Sequence, residues 1–251
     1  MFRHFSSALT LTTCLLLGTA RPSLAFQFNP LSQVFTPTGS EATQSYEIVN
    51  DTDEPIAVEV SVVLSEMDLT GDENFTPAED DFLVYPPQMI LAPDEIQMVR
   101  VTWLGDPTPT QELTYRLIAE QLPIHLVDPE APIPNETRGE IKLSFRYISS
   151  VFIRPQNVAP DVSLVSVEPT VIDSGETKLS VVLENQGDGN ARLSDWQLEV
   201  AGQGQTVQLT PALAKEMNSR VILPGQQRQF DLPWPEGLPI GDVMATFQFE
   251  N

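Results

Sequence analysis

Ile56-Ala57-Val58-Glu59-Val60-Ser61-Val62-Val63-Leu64 alternates along its length: Ile56, Val58, Val60, Val62 and Leu64 fall on one side of an extended chain, Ala57, Glu59, Ser61 and Val63 on the other. A period of two marks a strand with one buried face. The pattern returns in Gln44 to Asn50, Gln97 to Leu104, Thr114 to Glu120, Ile141 to Ile153, Val162 to Glu168, Lys178 to Glu184, Trp196 to Ala201, Arg220 to Leu223 and Met244 to Phe249. Segments rich in Asn, Asp, Gly and Pro separate these runs, among them Asn50 to Pro55, Gly105-Asp106-Pro107, Asn185 to Asn190 and Leu223-Pro224-Gly225. Such residues form tight turns at low steric cost. The best helical candidate, Pro211 to Asn218, is two turns at most. Short strands separated by turns predict β-sandwiches.

Arg154-Pro155-Gln156-Asn157-Val158-Ala159-Pro160 brackets a polar stretch with two prolines, which stiffen a chain and suit a domain elbow. The expected division is 26–155 and 156–251. The two halves echo each other at Leu91-Ala92-Pro93-Asp94-Glu95 and Leu223-Pro224-Gly225-Gln226-Gln227, each a Pro turn between strands. Residues 1–25 have the form of a secretory signal, with Arg3 and His4, an apolar run from Leu9 to Leu17, and Ser23-Leu24-Ala25 before an expected mature start at Phe26. The apolar run is too short to remain as a membrane span. Cys14, the chain's one cysteine, lies inside this segment, so the mature chain is expected to rely on hydrophobic cores without disulfides.

Of 13 Lys and Arg residues, Arg3 and Arg21 leave with the signal, so 11 face 35 acids and the net charge becomes −24. That balance argues against nucleic acid and anionic membrane as partners and favours solubility. With His4 in the signal, His125 is the remaining histidine, and the common zinc and cysteine–histidine chemistries have no residues to use. No serine has a nucleophile-elbow glycine pattern near it. The acids of Glu66 to Asn74 fail calcium-loop spacing, since Pro77 stands where a closing Glu belongs, and they fit a solvated hairpin loop. Asp80 and Asp81 have no pocket assigned by sequence. The expectation is a protein that is not an enzyme and holds no metal or cofactor.

From Gly139 to Pro155 the chain runs Gly-Glu-Ile-Lys-Leu-Ser-Phe-Arg-Tyr-Ile-Ser-Ser-Val-Phe-Ile-Arg-Pro, with Ile141, Leu143, Phe145 and Tyr147 on one face and Lys142, Ser144 and Arg146 on the other. Periodicity alone fits a core strand with one face buried. The segment also resembles the last strand of the first domain in periplasmic pilus chaperones of the chaperone–usher type. Gln33-Val34-Phe35, Tyr85-Pro86-Pro87, Leu91-Ala92-Pro93 through Val99-Arg100-Val101, and Thr114 to Pro123 are similar to the family's motifs in the same order. In the second half, Leu183 to Gly187 and Leu223-Pro224-Gly225 are weaker matches.

The resemblance implies an all-β fold of two immunoglobulin-like β-sandwich domains joined at an angle, in the periplasm. It also implies capture of pilus or fimbrial subunits by donor-strand complementation, with Ile141, Leu143, Phe145 and Tyr147 as the lent residues, and transfer to an outer-membrane usher. Self-association of the free protein through that edge is a further expectation. The family clamps a subunit's terminal carboxylate with an Arg and a Lys, whose positions here fall at Ser32 and Ser150. Either serine hydroxyls, backbone amides or Arg146 replace that clamp, or the chain does not bind subunits in the usual way. The family's interdomain ion pair maps to Arg154, Glu112 and Asp242, with Gln111 competing for the place of Glu112. The alternative function is a structural or adhesive tandem β-sandwich with no subunit transfer.

Overall fold

The computed structural model describes residues 25–124 and 143–250, so residues 1–24 of the expected signal segment, His125 and Ile141 lie outside the described residues. Ten strands build the first sandwich: β1 (Gln27–Asn29), β2 (Ser32–Phe35), β3 (Thr43–Val49), β4 (Ile56–Met67), β5 (Glu73–Pro77), β6 (Phe82–Tyr85), β7 (Gln88–Leu91), β8 (Ile96–Trp103), β9 (Leu113–Gln121) and β10 (Arg146–Ile153). One sheet has the order β1-β3-β8-β6; the other runs β2-β10-β9-β4-β5, with β7 also on β4. The alternation in β4 is used as expected: Ile56, Val58, Val60 and Val62 are buried and face Tyr46, Ile48, Val99 and Val101 of the opposite sheet in one core. Edge-on rings of Phe82, Trp103 and Tyr115 fill one end of it.

Eight strands build the second sandwich: β11 (Val162–Val171), β12 (Thr177–Asn185), β13 (Ala191–Arg192), β14 (Trp196–Gly202), β15 (Gln205–Leu209), β16 (Val221–Ile222), β17 (Gln227–Pro233) and β18 (Met244–Phe249). Its sheets have the orders β11-β12-β17 and β15-β14-β18, with β13 and β16 paired separately. Leu179, Val181, Leu183, Trp196, Leu198 and Leu232 form a second, separate core. The fold is all-β, and the expected short helix at Pro211–Asn218 is a run of turns. There Ala214 N bonds back to Thr210 and Met217 N to Ala214, and burial of Ala214 and Met217, not a helical ladder, fixes the path.

The echo between the halves has a physical basis in two fully buried asparagines. Asn50 Nδ2 donates to the carbonyls of Glu54, Leu91 and Ala92 at 2.9, 3.1 and 3.0 Å. Its Oδ1 accepts from Thr52. Asn185 Nδ2 donates to Gly189 and Ile222 at 2.8 and 3.1 Å, while its Oδ1 accepts from the amides of Asp161 and Gly187. Each amide thus ties the turn after one strand to the Pro turn of another, pairing carbonyls that no sheet reaches. Replacing Asn50 with alanine orphans several of these groups, and should lower the unfolding free energy by about 2–4 kcal/mol in urea denaturation. A loss below about 0.5 kcal/mol would show that the turn holds without the amide.

Candidate functional site: the open end of β10 and the cleft between the sandwiches

Among the described residues β10 has two neighbours along only part of its length. On one side it pairs with β9 throughout, from Arg146 opposite Glu120 to Ile153 opposite Leu113. On the other it pairs with β2, in parallel, only from Ser150 opposite Ser32 to Ile153 opposite Phe35. Ser150 N bonds Leu31 O on the β2 side, and Phe145 O accepts from Gln121 N on the β9 side. By the alternation of a strand, the N–H groups of Arg146 and Ile148 therefore point to the side where no strand lies among the described residues.

The side chains form a gradient on one face. Ile153, Val151 and Ser149 are 0% exposed, Tyr147 and Phe145 are half-buried against the first core, and Leu143 is 59% exposed. The stripe expected to serve a partner is thus a continuation of the strand's own core stripe. Tyr147 already packs edge-on against Phe26, with ring centroids 4.8 Å apart, whereas Leu143 stands clear of the sandwich. Among the described residues strand pairing begins at Arg146, opposite Glu120 near the end of β9 at Gln121, and Ile141 lies outside the described residues.

Ser32 and Ser150 are directly opposite each other where β2 takes over the edge. Ser150 also lines a cleft of about 270 Å³ between the two sandwiches. From the first sandwich the cleft takes Thr114, Arg116, Glu73 and Phe152; from the second it takes Arg192, Arg220 and Arg228. Arg116 grips Glu73 with two bonds, Nη2–Oε1 at 2.6 Å and Nε–Oε2 at 2.8 Å. Burial alone would raise the Glu73 carboxyl; the bonds and charge of Arg116, helped by Ser65 and Arg228, carry it below its ordinary value instead.

The two sandwiches meet at Glu112, whose side chain is 2% exposed. Its carboxylate accepts from Arg154 Nε and Nη2, both at 3.1 Å, and from Asn190 Nδ2 at 2.9 Å. Its own amide donates to Asp188 O. The structure brings Arg154 and Glu112 together but places Asp242 elsewhere, in the turn ahead of β18 with its carbonyl against Gly202. Asn190 is the second-sandwich partner that the sequence did not single out. An amide suits the place, since it donates to a carboxylate where an acid would add a second negative charge.

A second bridge is the hairpin joining β4 to β5, the stretch expected as a solvated acidic loop. Its tip reaches the other sandwich, with Leu69 O accepting from Gln229 N and Met67 Sδ in contact with Arg228 Nη1. Gly71, at φ +88°, lets the tip lie on Arg228, where a Cβ would overlap the guanidinium. Among the described residues no cluster of His, Cys, Asp and Glu is arranged to hold a metal.

A family model described as "Pili and flagellar-assembly chaperone, PapD N-terminal domain" matches residues 31–159, just over half of the chain. No curated protein matches the sequence. Among solved structures, a chain of the CsuC–CsuE chaperone–tip adhesion subunit pre-assembly complex from archaic chaperone–usher Csu pili of Acinetobacter baumannii is 16% identical. It superimposes with a TM-score of 0.57 over 87% of this chain and 91% of that one. The class 5 fimbriae chaperone CfaA is 14% identical, with a TM-score of 0.54 over 90% and 100%. The Escherichia coli chaperone DraB is 20% identical, with a TM-score of 0.51 over 85% and 86%. At such identities the likeness is one of fold: two immunoglobulin-like sandwiches.

Two measurements follow from this geometry. Since the folded-state pKa of Glu73 is lowered, its contribution to stability is present above the ordinary carboxylate value and is lost as pH falls through the depressed one. The gap in thermal midpoint between wild type and Glu73→Gln should therefore be open at neutral pH and narrow as pH falls below the ordinary carboxylate range. A gap independent of pH would contradict the assignment. Glu112→Ala removes the shared acceptor of Arg154 and Asn190, and should broaden the distribution of distances between spin labels placed on the two sandwiches. An unchanged distribution would show that the hairpin alone fixes their orientation.

Proposed function

The chain belongs to the pili and flagellar-assembly chaperone family, and we propose that it binds fibre subunits in the periplasm by lending them the open end of β10. The observation that supports this reading is the half-paired β10, with an apolar stripe that emerges from the core at Phe145 and Leu143. A subunit lacking a strand exposes an apolar groove and unpaired backbone, which is an aggregation hazard. Lending a strand satisfies both, because the ladder takes up the backbone groups while alternate side chains fill the groove. Each further apolar side chain moved out of water adds ~1.5–3 kcal/mol before ordering costs.

In this reading Leu143 and Phe145 enter the groove, with Ile141 ahead of them. Tyr147, held by Phe26, sets the depth at which the guest strand starts. The chaperone later passes its subunit to an outer-membrane usher, and it acts by binding, without catalysing a reaction. The solved complexes with a tip adhesin subunit and with a Salmonella enterica pilin lend this reading its partner class.

Leu143→Asp with Phe145→Asp should abolish co-purification of a co-expressed fimbrial subunit while the circular dichroism stays that of the folded wild type, the thermal midpoint falling only by the share that half-buried Phe145 contributes. Undiminished capture by this folded variant would remove the strand-lending reading and leave a structural tandem sandwich in its place.

A further inference from the structure

Three Asn-x-Thr triplets occur in the sequence: Asn50-Asp51-Thr52, Asn74-Phe75-Thr76 and Asn135-Glu136-Thr137. In an exported chain such a triplet accepts an N-linked oligosaccharide where its asparagine stands at the surface. The fold separates the two described triplets. Asn50 is fully buried, donates to three carbonyls and accepts from Thr52 through its Oδ1, so its carboxamide has no free side. Asn74 is exposed, as is every residue of β5, and its carboxamide makes no hydrogen bond among the described residues. Asn135 lies outside the described residues.

β5 also presents the triplet in an accessible form. An extended chain sends alternate side chains to one face, so Asn74 and Thr76 stand side by side while Glu73 and Phe75 take the other face. Arg116 holds Glu73, and the anchor of the strand therefore lies on the face opposite the asparagine and threonine. β5 is the outermost strand of its sheet, with Glu66 opposite Asn74 and Leu64 opposite Thr76 on β4. Among the described residues no strand covers its other edge. Asp72, exposed two residues ahead of Asn74, offers a carboxylate that a cationic site on a transferase can pair with. The other two triplets have Ile48 and Ile133 at that spacing.

We propose that Asn74 is an N-glycosylation site, modified from a lipid-pyrophosphate-linked oligosaccharide, with Thr76 and Asp72 as the neighbouring groups that the transferase reads. In the transfer, Asn74 Nδ2 bonds to the anomeric carbon of the first sugar and the bond from that carbon to the phosphate oxygen breaks. The lipid pyrophosphate leaves with the bonding electron pair, and the amide gives up one proton to a base of the transferase. Of the function proposed above, this inference uses only the export of the chain. β4 and β9 separate β5 from β10, a distance of three strand spacings or roughly 14 Å, so the sugar sits at the edge of the sheet remote from the lent strand. An open edge is a template for unwanted pairing, and an oligosaccharide on β5 blunts that edge while leaving β10 available.

The test co-expresses the full chain in a bacterial periplasm with a single-subunit oligosaccharyltransferase and a lipid-pyrophosphate-linked heptasaccharide, and measures the mass of the purified protein intact and after proteolysis. One heptasaccharide should be found, on the peptide that carries Asn74. Asn74→Gln and Thr76→Val, both at exposed positions, should each remove the added mass, whereas Thr76→Ser should keep it. Asp72→Asn should lower the fraction modified at least about threefold. A folded chain with no added mass, or with the sugar on Asn50 or Asn135 in place of Asn74, would overturn the proposal. Undiminished modification of Asp72→Asn would overturn the part given to that carboxylate. Glycosylated and unglycosylated chains should capture a co-expressed fimbrial subunit equally, and capture lost only with the sugar would contradict its placement away from the working edge.

Discussion

A strand inside a sheet needs a neighbour on each side, and among the described residues β10 has its second one only from Ser150 onward. Much of the molecule is arranged around that half-pairing. β9 pairs with β10 along its full length, from Arg146 to Ile153, and so supports the open part of the edge from one side. Phe26 caps Tyr147 and closes the core just where the stripe begins to emerge. Among the described residues no strand pairs the backbone of Arg146 and Ile148 on that side.

The second sandwich is held at the end of β10 where β2 takes over. Glu112, Arg154 and Asn190 bond it on one side, and the β4–β5 hairpin reaches it on the other. Between these two bridges lies the arginine-lined cleft. Both bridges mix first-sandwich carboxylates or carbonyls with donors from the other unit, so the orientation of the sandwiches and the position of the arginines are set together. That coupling accounts for so much buried polarity at a junction that an apolar seam could also have closed.

The core strands were legible because their alternation is long: β4, β8, β9 and β12 lie within a residue or two of their expected bounds, apart from the extra length of β4. Edge strands such as β5, with Glu73 to Pro77 all exposed, have no buried face and so no apolar period to find. β17 was missed because Gln227-Arg228-Gln229 hides an alternation carried by only Phe230 and Leu232. For the site, the stripe from Leu143 to Tyr147 is visible in sequence, but its grading from core to solvent is not, since that depends on where β2 and Phe26 sit. The cleft arginines lie in four unrelated turns and strands, and their scarcity in an acidic chain was the one available hint. Asn190 looks in sequence like part of a Gly-rich turn, and only the register of two domains makes it a partner of Glu112.

Amide hydrogen exchange at Arg146 and Ile148 tests the central claim most directly. In the free chain these two amides should exchange rapidly while Val151 and Ile153, deep in the sheet, stay protected. On capture of a co-expressed fimbrial subunit they should slow by at least about a hundredfold. Slow exchange in the free monomer, or exchange that a bound subunit leaves unchanged, would mean that the edge of β10 is not what the partner takes.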